Sequence, residues 1–90
     1  MNKYIIERDI PGVGGLDAGQ LKGAAATSNA ALDQLQGVRW VESFVTADKT
    51  FCVYEAENED VINEHARLSG FPASRITQVS GMIDPSTANG

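Results

Sequence analysis

Hydrophobic positions along this chain alternate between a strand rhythm and a helix rhythm. Lys3 to Ile10 reads as a strand, with Tyr4, Ile5 and Ile6 as its apolar part, and Pro11 ends it. Pro11-Gly12-Val13-Gly14-Gly15 reads as a loop. Leu21, Ala24, Ala25, Ser28, Leu32 and Leu35 then recur with the 3.6-residue period of a helix. Asp17 is placed to cap that helix, Gln20 to complete a capping box, and Gly37 to stop it as a left-handed residue.

Val38 to Ala56 is rich in β-branched and aromatic residues and is broken by a short polar turn, the mark of a hairpin. A three-residue turn, Ala47-Asp48-Lys49, with Lys49 in the bulge position, sets Phe44 opposite Cys52, Glu42 opposite Tyr54 and Trp40 opposite Ala56. The other face then carries Val41, Ser43, Val45, Phe51 and Val53; a one-residue slip would change the pairing. Asn58 caps a second helix with Glu59 and Asp60 in its first turn; Val61, Ile62, His65 and Ala66 share one side, and Gly70 ends it. Ser74 to Ile83 reads as a last strand with Ile76, Val79, Met82 and Ile83 as its apolar members.

The order strand, helix, strand, strand, helix, strand predicts an α+β, ferredoxin-like βαββαβ domain: an antiparallel four-stranded sheet with two helices on one face. Residues 1–83 form the single domain and 84–90 a polar, frayed C-terminal tail. The small residues of the first helix let it approach a sheet that supplies bulk. The helices are therefore expected over the Trp40, Phe44 and Tyr54 face, and the Val41, Val45, Phe51 and Val53 face against a second subunit.

Composition narrows the partners. Seven Lys and Arg against twelve Asp and Glu give a formal charge of −5. That disfavours nucleic acid and anionic membranes, which need a basic surface. One cysteine excludes an internal disulfide and a Cys-x-x-Cys metal motif. Nothing at the N-terminus reads as a signal peptide and no apolar run reaches transmembrane length, so the default location is cytoplasmic.

The glycine loop precedes a helix, as phosphate loops do. It lacks Gly-Lys-Ser/Thr, and Asp17 stands where the dinucleotide fingerprint would need glycine. Phe51-Cys52-Val53-Tyr54 sits where RNA-recognition domains carry stacking aromatics, but Lys49 is the only other match to that motif.

The chemistry-bearing residues gather on the hairpin and the second helix. With the helices over the Trp40 face, His65, the only histidine, is expected to point toward the layer of Cys52, Tyr54 and Glu42. Imidazole, thiolate and carboxylate are ligand types for Ni(II), Cu(II) or Zn(II), and the same groups can move protons. Each also has an ordinary structural use: a hydrogen-bonded core histidine, a small buried thiol, a phenol at the core's rim, a carboxylate at the sheet edge in water.

Tyr4 to Gly12, Trp40 to Val45, Asp48 to Ala56, Glu64-His65-Ala66-Arg67, Gly70-Phe71-Pro72-Ala73 and Arg75-Ile76 together resemble a family of short bacterial proteins of unknown function, some described as nickel-binding. The resemblance implies a dimeric ferredoxin-like fold, a dimeric α+β barrel, and a nickel site whose ligands it does not name. Three functions follow as expectations. In the first, a small soluble homodimer binds a divalent transition metal, nickel foremost, through His65, Cys52 and Glu42, without turnover. In the second, a small-molecule enzyme or binding protein uses a sheet–helix pocket formed by Trp40, Phe44 and Tyr54, with His65 or Tyr54 as the proton-transfer group. A regulatory or assembly module without a ligand is the third.

Overall fold

The computed structural model describes residues 1–90. The strands are β1 (Asn2–Asp9), β2 (Val38–Val45), β3 (Lys49–Ala56) and β4 (Arg75–Gln78); the helices are α1 (Ala18–Leu32) and α2 (Glu59–Ser69). The sheet is antiparallel with order β2-β3-β1-β4, so the outer pairs flank a central β3–β1 ladder. This is the expected ferredoxin-like α+β fold.

Both helix starts follow their local chemistry. The Asp17 carboxylate accepts from Gln20 N–H at 2.8 Å, and the Gln20 side chain accepts from Asp17 N–H at 3.0 Å. The Asn58 side-chain Oδ1 accepts from Val61 N–H at 3.1 Å, and Gly70 closes α2 in the left-handed conformation. The first helix is shorter than its apolar stripe: it stops at Leu32, and tight turns carry Gln34 and Leu35. Gly37 is left-handed as expected, but it turns the chain into β2 rather than capping α1.

Tyr4, Ile6, Cys52, Tyr54, Ala56 and Ile62 form the core beneath the helices. Burying Ile6 and Ile62 contributes about 1.5–3 kcal/mol each. Alternation along β1 puts Tyr4, Ile6 and Arg8 in one inward row, opposite Tyr54, Cys52 and Thr50 of β3.

The hairpin register differs from the expected one, with consequences for the site. Thr46 N–H donates to the Lys49 carbonyl at 2.8 Å, so only Ala47 and Asp48 loop out. Ser43 therefore faces Cys52, Phe44 faces Phe51 and Glu42 faces Val53. A bulge then leaves Val41 unpaired, after which Trp40 faces Tyr54 and Val38 faces Ala56. Trp40 keeps its expected inward face. Phe44 and Glu42 move to the outer face, while Ser43 and Val45 move to the inner one.

The glycine loop is clamped to that turn. Gly12 N–H donates to the Asp48 carboxylate at 2.9 Å and Gly14 N–H to the Ala47 carbonyl at 2.9 Å. A Cβ on Gly14 would stand 2.7 Å from the Thr46 carbonyl oxygen, so the close approach requires glycine. Its amides hold the hairpin, which is a structural use rather than a phosphate cradle.

The last strand ends at Gln78. Val79 still donates to the Lys3 carbonyl, but Met82 and Ile83 lie beyond the sheet and are exposed, against the expectation that they extend it. Residues Pro85–Asn89 form an exposed 3-10 turn capped by Asp84. No helix is long and apolar enough to cross a membrane.

Candidate functional site

A cavity of about 290 Å³ opens between the sheet and the N-terminal half of α1. Its walls are mostly apolar, with Val13, Leu16, Leu21, Trp40, Val45 and Phe71 among them. The small residues of α1, Ala24 and Ala25, leave the space that larger side chains would fill. Arg8, Ser28, Ser43, Thr50, Cys52 and Tyr54 supply its polar groups.

Ser28 sits at the junction of α1, α2 and the sheet. Its hydroxyl lies 3.1 Å from His65 Nε2 and 3.5 Å from the Tyr54 hydroxyl. The Tyr54 and His65 rings are tilted by 52° with centroids 5.3 Å apart. Only 1% of His65 is exposed, and its Nδ1 has no partner. Burial is the main force holding its imidazole below the ordinary histidine pKa, with the Arg8 charge adding to it and the Ser28 contact opposing. His65 is therefore neutral at pH 7. Burial also raises the Tyr54 phenol, partly offset by Ser28 and Arg8, so it stays protonated.

Arg8 is the unexpected member. Only 3% of it is exposed. Its Nη1 donates to the carbonyls of Phe71 at 3.3 Å and Pro72 at 3.0 Å, and its Cζ lies 5.8 Å from the Tyr54 ring centroid. Its Nη2 has no acceptor. Sequence reasoning passed over it, although strand parity from Tyr4 and Ile6 reaches Arg8.

Of the expected metal donors, His65 and Cys52 are buried under the helices, whereas Glu42 is exposed on the far side of the sheet. Cys52 is a free thiol with Thr50 Oγ1 at 3.5 Å. No three His, Cys, Asp or Glu side chains converge as a metal would require. Of the expected pocket residues, Trp40 and Tyr54 line the cavity and Phe44 does not; it lies on the outer face, 56% exposed. Trp40 Nε1 donates to Ser43 Oγ at 2.9 Å, which fixes the indole at the cavity wall.

The polar groups can hold a ligand's charged or hydroxyl end. Ser28 and His65 are also placed for proton exchange between a hydroxyl and an imidazole, but no carboxylate orients His65 from Nδ1.

The outer face is a separate feature. Ile5, Phe44, Phe51 and Val53 form its apolar centre. Ion pairs flank it: Arg39 with Glu55 at one end, Lys49 with Asp9 at 3.3 Å and Arg75 with Glu7 at 3.9 Å at the other.

The crystal structure of SCO4226 from Streptomyces coelicolor A3(2) superposes on this chain with a TM-score of 0.74 at 15% identity, over 90% of this chain and 99% of that one. At that identity the likeness speaks for the fold alone. No curated protein matches the sequence. A family described as nickel responsive protein SCO4226-like matches residues 4–79, from β1 through β4. The chain belongs to this SCO4226-like, nickel-responsive family.

Proposed function

We propose that this chain is a homodimeric binding protein that holds a small, largely apolar molecule between its sheet and α1. The cavity carries this reading. It has about 290 Å³ of space, apolar walls and a few polar groups gathered at Arg8, Ser28 and Tyr54, the usual composition of a ligand site. A chain of 90 residues with a core this small gains stability by covering the apolar outer face with a second copy. An apolar centre flanked by ion pairs suits such an interface.

Trp40 is the only tryptophan and lines the cavity, so its fluorescence reports occupancy. A panel of small aromatic and aliphatic compounds should change its emission saturably. Ala25→Phe, which fills the cavity from α1, should abolish that response. No saturable response across the panel would end this reading.

Nickel is the second reading, favoured by the family's description and by the unpaired Nδ1 of His65. The donors of one chain do not fit a shared ion. Glu42 lies across the sheet, and the Arg8 guanidinium close to His65 opposes a dication. Direct nickel binding would then draw ligands from both subunits or lie away from His65. Calorimetric titration with Ni(II), repeated with Zn(II) in a buffer that does not chelate, separates the cases. Saturable, stoichiometric heat that survives His65→Ala favours a nickel site elsewhere; heat that His65→Ala removes restores His65 as a ligand.

A further inference from the structure

The buried charge of Arg8 has no counterion in the chain. A guanidinium is always protonated, and an unpaired charge taken from water is expensive to keep. Every ion pair of the chain involves other residues, although twelve Asp and Glu are present. Two backbone carbonyls occupy Nη1 and leave Nη2 without an acceptor. The same residue lines the cavity, beside the hydroxyl-bearing Tyr54 and Ser28. The wall contributed by Leu21, Trp40 and Val45 is apolar.

We propose that the cavity takes a small organic acid, its carboxylate drawn to the unpaired charge of Arg8 and its apolar body lying along Leu21, Trp40 and Val45. This rests on the cavity being a ligand site and names the class of that ligand. A single cation without a counterion among apolar walls suits a monoanion with a hydrocarbon body. Size sets the rest. A dry cavity of about 150 Å³ accepts benzene, so this one accommodates a carboxylate with a ring or a short chain.

The test is a pair of matched probes followed by Trp40 fluorescence and thermal shift at pH 7: benzoate and phenylacetate against benzamide and phenylacetamide. The acids are expected to bind at least about tenfold more tightly than the amides, because only they neutralise the buried charge. Arg8→Gln should erase that gap while still admitting the amides. Equal binding of acid and amide by the unmodified protein would overturn the acid assignment yet keep the cavity as a ligand site. That comparison needs no variant, so it stands even if Arg8→Gln fails to fold. Saturable binding by none of the four probes at millimolar concentration overturns the acid assignment; the cavity reading falls with it only if the wider panel also fails. A gap that persists in Arg8→Gln would place the anion on another group and refute the role of Arg8.

Discussion

His65 makes the protein's stability depend on pH in a window where no other side chain ordinarily titrates. The folded protein resists protonation because burial, and then the Arg8 charge, disfavour the imidazolium. The unfolded chain takes its proton near the ordinary value of about 6.5. Between the folded and unfolded values the unfolded state binds one more proton, so stability falls as pH falls. The contribution is complete above about pH 6.5 and lost below the folded value. The limiting slope for one group is about 1.4 kcal/mol per pH unit. In a domain of this size each kcal/mol moves Tm by about 4–8 °C. Because the chain has one histidine, the slope belongs to one residue.

The assay is urea unfolding followed by Trp40 fluorescence from pH 7.5 to 5.5. Protein concentration is held fixed, because association alters apparent stability. The unmodified protein should lose stability below pH 6.5 by up to about 1.4 kcal/mol per unit. His65→Gln should be less stable at pH 7.5, having lost the fit against Ser28 and Tyr54, but level across the same window. Stability that stays flat or rises as the unmodified protein is acidified would refute the reasoning. So would an equal slope in His65→Gln.

Phe44→Asp puts a charge in the centre of the outer apolar face and should convert the proposed dimer to monomer by sedimentation; an unchanged mass would remove that face as the interface. Gly14→Ala should destabilise by more than about 1 kcal/mol, because its Cβ meets the Thr46 carbonyl at 2.7 Å, whereas Gly15→Ala meets nothing within 4 Å and should be near neutral. Equal urea midpoints for those two variants would contradict the clamp between loop and hairpin. Asp17→Ala should lower stability by about 1 kcal/mol through the lost capping box, and an unchanged midpoint would show the cap to be idle.

Features set by neighbours in sequence were legible. Asp17 with Gln20, Asn58 before α2 and Gly70 after it are local signals that packing had no reason to override. The inward places of Trp40, Cys52 and Tyr54 were legible too, as was His65 beneath the same layer. The bulge at Val41 was not, because no glycine or proline marks it; valine reads as ordinary strand. Met82 and Ile83 look apolar enough for a strand, but β4 pairs only with Tyr4 to Glu7 of β1. Arg8 was hidden by giving weight to the apolar run that ends at Ile6, when the period of two carries the inward row one step further.

The hairpin register decides the electrostatics of both sheet faces. Under the expected register, Glu42 would lie opposite Tyr54, in the layer that holds Arg8, and could neutralise it. The two-residue turn and the bulge send Glu42 to the far side and leave the guanidinium with two carbonyls and the Tyr54 ring but no counterion. The inner layer then holds an uncompensated positive charge beside a neutral imidazole, which repels a dication and attracts an anion. The same shift carries Phe44 outward, where it enlarges the apolar patch of the outer face. A metal reading of the inner layer and an acid-binding reading of it therefore differ by the position of one carboxylate. Glu42 lies on the side that leaves Arg8 without a counterion.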